Sequence, residues 1–183
     1  MSDLISAAKA KPETLTVGVP GMGTSSHIAM EYFMQLTGTK FTVVPYRGAA
    51  SVADIINGAL SVSISPTIAY AEMIKDGALR PLGVTSRVRS QQIPSTPTFD
   101  EAGLSGFEAT TWYVLAVPSQ TPDSIVDKLN GLVAQYLKGE KGQKMLKQFD
   151  VEPEIGTPQE AKAFIAGESK KWKPIIAAAG LKL

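Results

Sequence analysis

The 183-residue chain contains no cysteine and a single histidine. Without cysteine there is no disulfide, no thiolate nucleophile and no thiolate-bound metal, and one imidazole leaves metal binding to carboxylates alone. No metal and no cofactor are therefore expected. Net charge is also lacking: 18 Lys and Arg stand against 17 Asp and Glu, for a formal +1, which supplies no field to draw in nucleic acid. Long apolar runs are missing as well. No stretch reaches the roughly 20 residues that a membrane-crossing helix needs, so direct membrane insertion is not expected. The start, Met1-Ser2-Asp3-Leu4, has no basic, apolar and small-residue succession of a secretory leader, so an exported form is expected to have lost its leader beforehand.

What is present is the composition of a folded domain, 44% hydrophobic and 19% charged, in a chain long enough to bury one full core. From residue 14 to residue 86, β-like runs alternate with helix-like ones. Strands are expected at Thr14–Val19, Phe41–Val44, Val62–Ser65 and Leu79–Thr85, and helices at Ser25–Leu36, Val52–Asn57 and Ile68–Lys75. That order predicts βα units, a mostly parallel sheet flanked by helices, and an α/β fold.

Beyond it lies an irregular stretch, Arg89–Gly106, punctuated by Pro94, Pro97, Gly103 and Gly106, which reads as loop and a lobe boundary with one helical turn near Phe99–Ala102. Thr111–Val117 and Val151–Ile155 read as strands. Ser119–Tyr136 reads as a helix with Thr121 capping it and Pro122 at its first position, followed by a helix at Lys141–Phe149. Thr157-Pro158-Gln159-Glu160 opens a long final helix that Pro174 is expected to kink or split.

Three strand-to-helix turns carry the candidate chemistry. The first is Gly21-Met22-Gly23-Thr24-Ser25-Ser26-His27. Its glycines permit a tight backbone, and its hydroxyl residues stand at a helix start whose free N–H groups and dipole attract an anion. It lacks the Gly-Lys-Ser/Thr ending of a nucleotide-binding loop. Pro45-Tyr46-Arg47-Gly48-Ala49 adds a cation and a phenol, and Ser65-Pro66-Thr67 is the third turn. In a parallel sheet the strand C-termini open on one edge, so these turns are expected to converge on one crevice. Ser25 or Ser26 with His27 also permits a small hydrolase, but that chemistry needs an orienting acid, and local capping is the simpler role for His27. Arg80, Arg87 and Arg89 are expected to face solvent. Trp112 and Tyr113 are expected in core or hinge packing.

The order of Thr16-Val17-Gly18, Gly21-Met22-Gly23-Thr24-Ser25-Ser26-His27, Val44-Pro45-Tyr46-Arg47-Gly48-Ala49, Leu82-Gly83-Val84-Thr85-Ser86, the run Ile93–Gly103, Gly106–Trp112 and Thr121–Val126 resembles the tripartite tricarboxylate transporter receptors, also called Bug-type receptors. The resemblance runs nearly end to end. It implies a periplasmic protein, no enzyme, with a periplasmic-binding-protein-like fold of two lobes that close on a small organic acid or amino acid and hand it to membrane permease subunits. It also implies that Gly23, Thr24, Ser25, Ser26 and His27 bind the ligand carboxylate, with Tyr46, Arg47, Gly48, Ala49, Ser65, Pro66 and Thr67 lining the same cleft. The chain departs from the family pattern at Arg47-Gly48-Ala49, where Lys-Gly-Gly is usual, and at Ser61 and Ser65, where acids are frequent.

The resemblance further implies two parts. Residues 1–110 would form the ligand-binding α/β lobe, and residues 111–183 the crossover strand and largely helical C-terminal segment that complete the first lobe. A full member begins with a leader and a first lobe, so the chain is expected to be a fragment or a naturally shortened relative. Uncovered apolar residues on the second part then predict a homodimer or a segment-swapped dimer, and leave open a self-associating interaction module as an alternative function.

Overall fold

The computed structural model describes residues 1–47 and 50–181. An unforeseen helix, α1 (Ser2–Ala10), comes first, with Ala8 fully buried. Then follow β1 (Thr16–Val19), α2 (Ser25–Thr37), β2 (Thr42–Pro45), α3 (Ser51–Ile56), β3 (Val62–Ser63), a 3-10 turn at Thr67–Ala69 and α4 (Ala71–Lys75). The three strands form one parallel sheet in the order β2-β1-β3. Thr16 to Val19 pair in step with Thr42 to Pro45, while Val17 and Gly18 pair with Val62 and Ser63. β1 is flanked on both sides, and Val17 and Val19 are buried accordingly.

Gly18 is the tight point of that sheet. A Cβ there would lie 2.7 Å from Leu60 Cδ1 and 3.2 Å from both Ser51 Cβ and Ser63 Oγ, so only glycine lets the third strand unit close against β1. Helix α2 packs Ala29, Met30 and Phe33 inward. Phe33 meets Phe41, Phe99 and Phe107 edge-on at 6.1–6.4 Å between centroids. The helix ends at Gly38, whose φ of 64° is the left-handed conformation that closes a helix without a Cβ penalty.

The expected strand at Leu79–Thr85 reduces to an isolated parallel bridge between Val84 and Thr98. Residues 89–106 are no boundary. Ile93, Thr96, Thr98, Leu104 and Phe107 are buried, and the Glu101 carboxylate ties the loop by accepting from Arg89 Nε and the Thr98 N–H, both at 2.8 Å. These bonds hold Glu101 below the usual carboxylate range, Arg89 contributing most. Proline and glycine suggested a linker, but the buried residues between them pack as core.

The chain divides into two compact units, Met1–Thr111 with the residues from Ile175 on, and Trp112–Pro174. The second holds α5 (Asp123–Lys138), α6 (Glu140–Phe149) and most of α7 (Pro158–Ala178). Neither Thr111–Val117 nor Val151–Ile155 forms a strand among the described residues. Their β-rich composition meets no neighbouring strand with which to pair. Thr121 does not cap α5: Pro122 occupies the cap position with no side-chain bond. At α7 the Thr157–Glu160 start is capped as the sequence suggests, with Glu160 taking the Thr157 N–H at 2.7 Å. The helix continues through Pro174 without splitting.

Candidate functional site

The three turns singled out in the sequence leave the same edge of the β2-β1-β3 sheet, since all three strands run parallel. Backbone bonds lock the second and third turns to β1: Tyr46 N–H donates to Val19 O at 2.8 Å and Ile64 N–H to Gly18 O at 3.0 Å. Gly48 and Ala49 lie outside the described residues.

At the first turn, Gly21 (φ 147°) and Gly23 (φ 75°) carry backbone conformations that L side chains rarely adopt. Thr24 caps α2, its hydroxyl donating to Gly21 O at 2.8 Å and accepting from His27 N–H at 3.3 Å. The Gly23 N–H is already used, donating to His27 Nδ1 at 3.0 Å. No hydrogen bond engages the backbone N–H groups of Thr24, Ser25 and Ser26 among the described residues. Three donors at a 13-residue helix start are thus left for an acceptor.

His27 is only 1% exposed, and its Nε2 faces Glu31 Oε1 at 3.4 Å. Both ring nitrogens are therefore engaged within the turn and by α2 itself, which is the local capping role. Ser25 Oγ shares a 2.6 Å hydrogen bond with Thr111 Oγ1, and among the described residues neither Ser25 nor Ser26 hydroxyl bonds to His27. The nucleophile–base pair of the hydrolase reading is not assembled.

In the second turn Arg47 is exposed, whereas Tyr46 OH donates to Asp54 Oδ2 at 2.5 Å. That bond, more than burial, raises the Tyr46 pKa above the ordinary phenol value. Ser65 and Thr67 are half-buried and Pro66 is exposed.

A hydroxyl cluster beneath the turns escaped the sequence reading. Ser63 Oγ donates to Gly18 O at 3.0 Å and reaches Ser51 Oγ at 3.3 Å, and Tyr70 OH bonds both serines. It ties α3 and β3 to β1. The alternation Ser61-Val62-Ser63-Ile64-Ser65 held its only signal, since it sets the serines together on one face of an extended segment. In the other unit Trp112 stacks edge-on against Phe164 at 5.5 Å and donates to Glu168 at 3.1 Å, while Tyr113 is 82% exposed instead of packed.

The sequence pattern of the tripartite tricarboxylate transporter family receptor matches residues 1–181. The chain belongs to that receptor family. It is 30% identical over 181 residues to the protein BugT of Bordetella pertussis, covering 98% of this chain and 56% of BugT. An R. palustris protein solved with adipate is 34% identical with a TM-score of 0.83, covering 98% of this chain and 60% of that one. The periplasmic binding protein BugD is 25% identical with a TM-score of 0.80, over 100% of this chain and 62% of BugD. The family is one of transporter receptors, and BugD among these neighbours is a periplasmic binding protein. This receptor chain spans a little over half the length of BugT. No described helix is long and apolar enough to cross a membrane.

Proposed function

We propose that the chain contributes one jaw of a solute-binding receptor that reversibly holds a small carboxylate-bearing solute, an organic acid or amino acid, for uptake by membrane permease subunits. Residues 1–110 act as the ligand-binding lobe in this reading. Residues 111–183 supply the segment that completes the other lobe of a full-length periplasmic receptor, with the tail from Ile175 returning to the first unit.

The observation that carries the proposal is the set of unpartnered Thr24, Ser25 and Ser26 amides at the start of α2, flanked by two further turns on the same sheet edge. Aligned N–H groups and the helix dipole favour a carboxylate there. Ser65 and Thr67 add neutral hydrogen-bonding groups and Arg47 a positive charge, which together suit an acid with a second polar end. Adipate, held by the R. palustris neighbour, is the natural first probe. Calorimetric titration of adipate, and of its diamide as the uncharged control, tests the reading. Binding of the acid alone is expected, at a Kd on the order of a millimolar for one jaw. Equal heats from acid and diamide contradict it.

A second reading, that the chain works chiefly by self-association, is favoured by one observation. Among residues 112–174 only Gly142 and Leu146 are buried, whereas Tyr113, Leu115, Leu132, Tyr136 and Phe164 are all at least 43% exposed. The backbone of residues 112–117 makes no hydrogen bond among the described residues, and no charged residue occurs between Glu108 and Asp123. Two copies could therefore pair this segment antiparallel without opposing like charges. Light scattering across a dilution series tests it, a dimer being expected and a monomer at every concentration refuting it.

A further inference from the structure

Helices α2 and α7 begin alike in sequence: Thr24-Ser25-Ser26-His27 and Thr157-Pro158-Gln159-Glu160, a threonine followed three positions later by a side chain able to accept a hydrogen bond. At α7 the Glu160 N–H donates to Thr157 Oγ1 at 3.2 Å while the Glu160 carboxylate accepts the Thr157 N–H at 2.7 Å. This is the reciprocal capping box. At α2 histidine makes the returning half. The His27 N–H donates to Thr24 Oγ1 at 3.3 Å, and Nδ1 accepts the Gly23 N–H at 3.0 Å, one residue further back. An N–H aimed at Nδ1 requires a lone pair there, so the ring proton resides on Nε2, which faces the Glu31 carboxylate at 3.4 Å. Histidine closes this box without a negative charge, and the first turn of α2 holds no acidic residue.

We propose that His27 is a positioning residue that caps α2 without bringing negative charge to its first turn, and so keeps the Thr24, Ser25 and Ser26 amides receptive to an anion. The proposal rests on the carboxylate-binding reading. Glutamate at position 27 would satisfy the ordinary box, as Glu160 does at α7. Its carboxylate, however, would stand in the same turn as the free amides and repel a ligand carboxylate. The ring is 1% exposed, so His27 acts through the geometry of the Gly23 turn and does not need to touch the ligand.

Two variants separate capping from charge: His27→Gln, a neutral acceptor, and His27→Glu combined with Glu31→Gln, which removes the neighbouring like charge. Glu31→Gln alone is the control. Three readouts are needed: the tautomer of His27 from imidazole nitrogen shifts in the wild-type chain, solvent-exchange protection of the Gly23 amide, and adipate affinity. The expected results are an Nε2–H tautomer, Gly23 protection retained in both variants, adipate affinity within about threefold of the control for His27→Gln, and affinity about tenfold weaker for the glutamate variant. An Nδ1–H tautomer, or a glutamate variant that binds adipate as tightly as the glutamine one, overturns the proposal. A wild-type chain silent to adipate counts against the carboxylate reading itself, and the tautomer still decides the capping role. Variants that fail to fold leave the wild-type tautomer as the deciding measurement.

Discussion

Gly18→Ala is the substitution for which the structure gives the most definite magnitude. The added methyl would sit 2.7 Å from Leu60 Cδ1 and 3.2 Å from Ser51 Cβ and Ser63 Oγ. Leu60 is 4% exposed and Ser51 3%, so neither neighbour has open space to swing into. Overpacking costs about 1–3 kcal/mol, and the 2.7 Å approach to a buried neighbour places this case in the upper part, about 2–3 kcal/mol, against about 0.4–1 kcal/mol gained from the narrower conformational freedom of alanine in the unfolded chain. The clash wins. A net loss of about 1–2.5 kcal/mol lowers Tm by roughly 2–10 °C in a chain of this size. Because Gly18 O accepts both the Ser63 hydroxyl and the Ile64 N–H, the strain should also displace the exit of β3 toward Ser65–Thr67. Thermal unfolding of Gly18→Ala, Leu60→Val and the double variant measures this. Shortening Leu60 removes the nearest obstructing atom, so the double variant should be more stable than additivity predicts by about 1 kcal/mol. An unchanged Tm for Gly18→Ala, or strict additivity in the double variant, would refute the packing argument.

Thr24→Ala removes the side-chain cap of α2 and is expected to cost about 1 kcal/mol of stability, read as a lower urea midpoint together with weaker adipate binding. The Tyr46–Asp54 bond raises the Tyr46 pKa, so its contribution is complete below the ordinary phenol value of about 10 and vanishes as pH rises through the folded value; Tyr46→Phe should flatten the alkaline fall in Tm. The Thr157 amide and hydroxyl lower the Glu160 pKa, so that contribution is present above the ordinary carboxylate range and is lost as pH falls through the folded value. Glu160→Gln should reduce the acid dependence of α7 helicity followed by circular dichroism, and an unchanged slope would contradict this. Gly142→Ala would press its methyl on the Tyr136 carbonyl and lie 2.8 Å from Leu137 Cα; backbone cannot swing aside, so loss of the α5–α6 packing is expected in hydrogen exchange.

The sheet and the three turns were legible because their signals are local. Glycines at residues 21, 23 and 38 carry the positive φ that their places after strand and helix require, and the apolar rows of β1 and α2 match the observed core. The segment at 111–117 misled because β-branched and aromatic composition records only a preference for pairing, and strand formation depends on a neighbour supplied by other chain segments. The loop at 89–106 misled in the opposite sense, since its prolines and glycines conceal the Arg89, Thr98 and Glu101 bonds that pin it to the core. The role of His27 was half visible. Local capping followed from its place in the first helical turn, but consumption of the Gly23 amide depends on the side-chain rotamer, which no spacing rule supplies. The Ser51, Ser63 and Tyr70 cluster was invisible for a related reason: its members lie up to 19 residues apart and meet only when β3 closes on β1.

The central claim is that the start of α2 holds the carboxylate, and amide resonances report on it directly. Adipate titrated into the isotope-labelled chain should shift the Thr24, Ser25 and Ser26 amides along a saturable curve. The Gly23 amide, already held by His27, should move least of the four, and equivalent chloride should produce no such curve. Adipate shifts confined to other regions, or a Gly23 response as large as those of its three neighbours, would contradict the account.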